Sequence, residues 1–213
     1  MNKIRGVNEL ADYLDKEISW RIKEIADLKI SIKSSDNPRQ KTLIRSSIPL
    51  LYAHWEGFVK KASEAYLNFV QNQNHRYREL AKCFIAIGLR KEIDNLIKSK
   101  TAKLNISLIE FIYNSPEQTT DIKFSNSIST KSNLSSLVFD NIAVSLGIET
   151  NIFEPKYNFI DKALLARRNN IAHGEYLDLD KESYSDLSEE VLNLIRQFKT
   201  EIENSAVQKK YKS

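Results

Sequence analysis

The sequence predicts an all-α fold, a bundle of six or seven helices forming one domain over residues 1–213, and three observations carry that prediction. Only 5 Gly and 4 Pro occur in 213 residues, too few breakers for the frequent tight turns of a sandwich or barrel. Long stretches repeat apolar residues at a spacing of three and four, the period of a helix buried on one side. The composition, 41% hydrophobic and 28% charged, suits a globular chain that buries a core without disulfides or a structural metal, and it excludes a disordered or collagen-like one.

The first helix is expected over about Asn8 to Lys33, where Leu10, Leu14, Ile18, Ile22, Ile25 and Leu28 share one face. It should stop in Ser34-Ser35-Asp36-Asn37. Asn37 then caps a second helix that opens on Pro38, where a missing N–H costs nothing, and runs to about Asn72. Pro49 lies inside it and should kink it. Beyond the kink Leu51, Tyr52, Trp55, Val59, Ala62 and Tyr66 make a wide apolar stripe, so Tyr52 and Trp55 belong to the core. A third helix is expected over Arg76 to Lys98 and a shorter fourth over Lys103 to Tyr113.

From Asn114 to Ser132 the chain turns polar, with one alternating patch at Ile122, Phe124 and Ile128, and reads as a surface loop or short hairpin. Helical spacing resumes over Asn133 to Leu146, ended by Gly147, and over Tyr157 to His173, ended by Gly174. A last helix, Ser183 to about Val207, opens on the capping box Ser183-x-x-Asp186, and the tail 208–213 should fray.

Charge and special residues bound the chemistry. A net charge of +4 permits attraction to phosphate without marking a DNA packager. The single cysteine, Cys83, cannot pair within the chain and sits among Phe84, Ile85 and Ile87, as a buried apolar residue of a reducing compartment would. The start lacks a signal-peptide pattern, and no apolar run approaches the ~20 residues that span a bilayer, so a cytoplasmic protein with no membrane role is expected. Gly-rich phosphate loops, G-x-S-x-G, paired-cysteine motifs and H-E-x-x-H are missing, and three histidines make a histidine-rich metal site improbable. No metal and no cofactor is expected.

What remains is the stretch from Leu164 to Glu175. On an ideal α-helix Ile160, Leu164 and Ile171 fall within about 40° of one another and face the core. Asn169 and His173, four apart, lie on nearly the opposite face, where the amide can orient the imidazole. Arg168 lies about 140° from His173, so either the helix loosens before Gly174 or the two side chains meet through a second copy of the chain. Arg167 projects about 40° from the Ile171 direction, toward the core edge, as a structural arginine would. A bland account also fits: cationic groups near a helix C-terminus favour the dipole, and Gly174 supplies the cap.

The string Arg168-Asn169-x-Ile171-Ala172-His173-Gly174 resembles the R-N-x-x-x-H form of the R-x4-6-H motif of the HEPN superfamily, all-helical proteins many of which are metal-independent RNases. Upstream, the segment from Arg45 to Lys60, with Pro49, Tyr52, His54-Trp55-Glu56-Gly57 and Phe58, looks like the second-helix signature of MAE-type HEPN-like nucleases of prokaryotes.

That resemblance implies an endoribonuclease acting as a homodimer, with Arg168 and His173 of two copies converging on one phosphate and Asn169 beside them. The 2′-OH of the RNA attacks the adjacent phosphate, leaving a 2′,3′-cyclic phosphate and a 5′-OH, with histidine and arginine supplying the proton transfers and the cation. A toxin or effector role in prokaryotic anti-phage or toxin-antitoxin defence is implied, with an antitoxin or defence-system protein as partner. Glu56 and Lys60, by spacing a solvated helical ion pair, become under the resemblance an accessory polar pair near the cleft. Arg45 and Arg167 are RNA-contact candidates. His54 diverges from Glu56 by about 200° around the second helix and is not assigned. Tyr176 follows His173 by three, where some HEPN toxins carry a regulatory tyrosine at a slightly different spacing, and is not assigned either. Basic residues of the third helix, among them Arg76, Arg78, Lys82, Arg90 and Lys91, either hold phosphates or form a solvated face with Glu79 and Glu92. The rival expectations are a non-catalytic HEPN module that binds RNA, a nucleotide or a protein, and a plain helical scaffold in a defence complex.

Overall fold

Three long helices carry most of the core: α1 (Val7–Ser34), α2 (Asn37–Gln71) and α7 (Lys181–Val207) pack on one another. The computed structural model describes residues 2–99, 101–114, 128–130, 133–176 and 178–213. Among these the remaining helices are α3 (Lys82–Ser99), α4 (Ala102–Asn114), α5 (Ser136–Ser145) and α6 (Arg167–Ala172), and no strand occurs. The all-α bundle expected from spacing and composition is the fold observed. No helix among the described residues is long and apolar enough to cross a membrane.

The buried positions of α1, Leu10, Leu14, Ile18, Ile25 and Ile32, are those its periodicity picks out. Glu9 starts the helix, accepting the backbone N–H groups of Arg5 and Gly6 at 2.6 and 3.3 Å, and these bonds hold its carboxyl below the ordinary range. α2 runs unbroken through Pro49, with Asp36 rather than Asn37 as the flanking residue. Its stripe meets α5 and α7 in an aromatic cluster in which Trp55, Phe139, Phe153 and Phe198 lie at centroid separations of 5.0–6.5 Å. Burial of Trp55 in this cluster is worth about 3–5 kcal/mol against alanine.

Four expectations about element boundaries are corrected, each because a side chain or a distant segment takes over a backbone group. The third helix does not begin at Arg76. A 3₁₀ turn, Tyr77–Glu79, comes first, and Leu80 forms an isolated antiparallel bridge with Lys212. The C-terminal tail is correspondingly seated, not frayed. The Ala81 N–H donates to the Tyr211 carbonyl at 2.8 Å, the Ser213 N–H donates to the Glu79 carbonyl at 3.1 Å, and Tyr211 is 3% exposed, edge-on to Phe69 at 5.7 Å. α5 begins at Ser136, not Asn133, because 133–135 approach from a loop. There Ser135 caps the helix, and Asp161 accepts both the N–H and the hydroxyl of Ser136. α7 begins at Lys181, capped by Asp180, whose carboxylate accepts the Ser183 N–H at 2.7 Å. That bond lowers the Asp180 pKa. Of the alternating patch, Ile122 and Phe124 lie outside the described residues, whereas Ile128 is buried. Cys83 is half-buried, and burial raises its thiol pKa.

The correction that matters for the site lies between Tyr157 and His173. One α-helix was expected. The chain forms a 3₁₀ turn at Glu154–Lys156, a π-helical stretch at Phe159–Ala166, and only then α6. A π turn, bonded i to i+5, holds more residues than an α turn, so counting 100° per residue from Ile160 misplaces whatever follows.

Candidate active site at the end of α6

α6 ends at Ala172, with His173 as the C-cap at φ −89° and ψ 6° and Gly174 in the left-handed region at φ +83°. Backbone bonds close the turn: His173 N–H to the Asn169 carbonyl, Gly174 N–H to Ile171 and Glu175 N–H to Asn170, at 2.9–3.1 Å. Glycine is the residue that adopts this conformation without strain. The helix thus stops where the sequence said it would, and the His173 side chain is left exposed, with no hydrogen-bond, ion-pair or ring partner among the described residues.

Arg168 is placed differently. Its guanidinium carbon sits 4.5 Å from the centroid of the Tyr52 ring. Its Nη1 donates to Asn169 Oδ1 at 2.7 Å and to Asn133 Oδ1 at 3.1 Å. The expected contact between Asn169 and His173 is therefore replaced: the amide oxygen goes to Arg168. No hydrogen bond joins Arg168 to His173 within the chain among the described residues. The two arginines also exchange the places expected of them. Arg168 is the one packed against the core, on the face of a buried tyrosine, while half-buried Arg167 has no hydrogen-bond or ion-pair partner among the described residues. What decides between them is the Tyr52 ring on α2 and Asn133 in the loop before α5, partners that angles counted along one helix do not show.

Tyr52 links this arrangement to α2. It is 2% exposed, and its hydroxyl accepts the Leu134 N–H at 2.6 Å. Burial pushes its pKa up to about 12; the Leu134 bond and the Arg168 guanidinium oppose that rise, and the nearby Glu56 carboxylate adds to it. Glu56 is half-buried near the Tyr52 hydroxyl. The expected Glu56–Lys60 ion pair does not form, and Lys60 is exposed without an ion-pair partner among the described residues.

Arg45 is engaged too. Its Nη2 donates to the Glu175 carbonyl at 2.8 Å, tying α2 to the segment just after Gly174, with the Lys41–Asp178 ion pair at 3.2 Å beside it. His54 lies on another side of α2, its Nε2 3.0 Å from a Glu24 carboxylate oxygen and its ring 5.3 Å from Trp20. Burial and the Arg21 guanidinium lower its pKa to about 4, outweighing the half-exposed Glu24. That placement keeps His54 apart from Glu56, as the helical angle predicted. Among the described residues no group of three or more His, Cys, Asp or Glu is placed to hold a metal ion.

A family model described as RiboL-PSP-HEPN matches residues 16–204. The chain belongs to this HEPN family. The match takes in α2, the π-helical stretch, α6 and most of α7, and with them Arg45, Tyr52, Glu56, Asn133, Arg168 and His173. It places the chain in the HEPN superfamily and marks it as a nuclease or RNA-related module; the MAE-type subdivision is not what the matching model describes. No match was found among curated proteins or among solved structures.

The sequence alone does not show that Tyr52 and Asn133 join Arg168 in this arrangement. Tyr52 was read as core, which it is by burial, but it also presents its ring to Arg168. The contacts that recruit it, Leu134 to Tyr52 and Arg168 to Asn133, are 82 and 35 positions apart. No periodicity within one helix reveals such pairs. The one local hint was the i, i+4 placement of Tyr52 and Glu56 on α2.

Proposed function

We propose that this HEPN protein is a metal-independent endoribonuclease whose working site is assembled from two copies of the chain. The observation that carries the reading is the contrast between the two motif side chains. Arg168 is fixed on Tyr52 and two asparagines, while the His173 imidazole, one turn beyond, is exposed and has no partner among the described residues. A fixed cation suits stabilisation of charge on a phosphate in the transition state. An exposed imidazole suits proton transfer to and from RNA. Since the two do not bond within one chain, a two-fold arrangement that sets Arg168 of one copy against His173 of the other supplies both groups to one phosphate.

In this mechanism His173 takes the proton from the RNA 2′-OH as that oxygen attacks phosphorus, and Arg168 stabilises the developing negative charge. The P–O5′ bond breaks, and the leaving oxygen takes a proton from the second imidazole. The products are a 2′,3′-cyclic phosphate and a 5′-OH, and no cofactor enters. Asn169 holds Arg168 in this scheme, Arg167 and Lys60 offer cations that are unpaired among the described residues for the RNA backbone, and Arg45 shapes the segment after Gly174. A role as a toxin or effector in prokaryotic defence, acting in the cytoplasm under control of a partner protein, fits a nuclease that needs nothing but RNA.

A second reading, a non-catalytic module or scaffold docked on a partner protein, draws on α4. There Ile106, Ile109, Ile112 and Tyr113 are exposed, the last at 79%. End analysis of RNA separates the two. Wild type incubated with total cellular RNA in EDTA is expected to leave cyclic phosphates and 5′-OH ends that His173→Ala does not. Binding without any new ends would instead support the module.

A further inference from the structure

We infer that Tyr52 is a positioning residue for Arg168: its buried ring is the platform that fixes the guanidinium at the site. The inference rests on the ribonuclease reading above, and the geometry of the platform supplies the rest.

A tyrosine ring positions a cation only if the ring itself cannot move. Tyr52 is buried at 2% exposure, and its far end is pinned by the Leu134 N–H at 2.6 Å. The Glu56 carboxylate, four residues on along α2, lies near that hydroxyl. The ring is thereby fixed from α2, from the loop before α5 and by the core around it.

The Arg168 guanidinium lies over the ring with Cζ at 4.5 Å from the centroid, well inside the range of a cation–π contact. Asn133, adjacent to Leu134, accepts from Nη1, and Asn169 accepts from the same nitrogen. One short loop segment therefore holds both the platform and the cation it carries. A contact with the ring consumes none of the guanidinium's N–H groups, which lie in its own plane and are the ones that grip phosphate. This also decides between neighbouring arginines, because Arg167 has no ring beneath it in the described structure. The role differs from stacking on RNA bases, since a ring at 2% exposure cannot receive a base.

Two readouts test this, one independent of cleavage. In wild type the Arg168 Nε–H proton resonance, assigned by its loss in Arg168→Lys, is expected to be shifted upfield by the ring current. It should stay shifted in Tyr52→Phe and return to the solvated value in Tyr52→Leu. In single-turnover RNA cleavage, Tyr52→Leu is expected to lower the rate by about tenfold or more with RNA affinity little changed, while Tyr52→Phe recovers most of the rate. Combining Tyr52→Leu with Arg168→Ala should cost no more than Arg168→Ala alone.

An unshifted Arg168 resonance in wild type overturns the inference, as does a folded Tyr52→Leu that cuts at the wild-type rate. If Tyr52→Leu does not fold, the wild-type resonance decides by itself. If wild type cuts no RNA under any condition, the ribonuclease reading falls, while the resonance still reports whether Tyr52 holds Arg168.

Discussion

Gly174→Ala perturbs the end of α6 without adding bulk anywhere it matters. A Cβ at this position meets nothing within 4 Å among the described residues, so crowding by them contributes nothing to the outcome. The whole effect comes from φ +83°, a left-handed conformation that costs an L-residue with a Cβ about 1–2 kcal/mol. That strain is relieved by opening the turn closed by the Gly174 and Glu175 N–H groups, and opening it swings His173 away from its place as the C-cap. Asparagine tolerates the same conformation better, so Gly174→Asn should lose about half as much or less. Gly147→Ala is the contrasting control: φ is +70° there, but the Cβ would also lie 3.2 Å from Cys83 Sγ, so its loss should be the larger. Urea denaturation gives the stabilities, and RNA cleavage on the same preparations shows whether His173 has been displaced. The expected order of stability is wild type, Gly174→Asn, Gly174→Ala, Gly147→Ala, with cleavage by Gly174→Ala reduced several-fold while its core stays folded. Equal stability of the alanine and asparagine variants at 174 would refute the backbone argument. So would a loss at Gly174→Ala well above about 3 kcal/mol, which strain alone cannot supply.

Other perturbations test separate parts of the account. His54 has a folded pKa near 4, below its unfolded value of about 6.5, so its contribution to stability is present above pH 6.5 and lost as pH falls toward 4. The loss is at most about 3 kcal/mol, and His54→Gln should flatten that part of a stability-against-pH curve. Tyr211→Ala should cost about 2–4 kcal/mol in urea denaturation, whereas a frayed tail would cost nothing. The buried Tyr52 phenol, held neutral to about pH 12 against about 10 when unfolded, stabilises fully below pH 10 and progressively less above it. Tyr52→Phe should therefore soften alkaline unfolding, read by circular dichroism.

The helices were legible because their apolar spacing is local: the buried faces of α1 and α2 follow from counting threes and fours along the chain. Gly174 and His173 were legible for the same reason, as a helix end carries its own stop signal. What escaped was set by partners far along the chain. The π-helical stretch has no spacing signature that separates it from an α-helix over eight residues, and Arg168 rather than Arg167 packs on the core because Tyr52 and Asn133 receive it. Asp180 displaced Ser183 as the cap of α7 by offering a carboxylate one turn earlier. Glu56 and Lys60 sit at helical ion-pair spacing yet do not pair, and Glu56 lies near the buried Tyr52 hydroxyl. The tail looked frayed by composition, yet Tyr211 finds Phe69 and Ala81, which no window along the sequence places near it.

The most direct test of the central claim is the RNA cleavage rate in EDTA of wild type beside Arg168→Ala and His173→Ala, each purified as a folded protein of measured oligomeric state. The account predicts cutting by a wild-type dimer and a fall of about a hundredfold or more in each variant, the size expected for losing an acid–base group or a charge-stabilising donor. Mixing the two variants should recover nothing where dimers do not exchange subunits, and part of the activity where they do. Full cutting by either variant, or intact RNA with wild-type dimer, would contradict it.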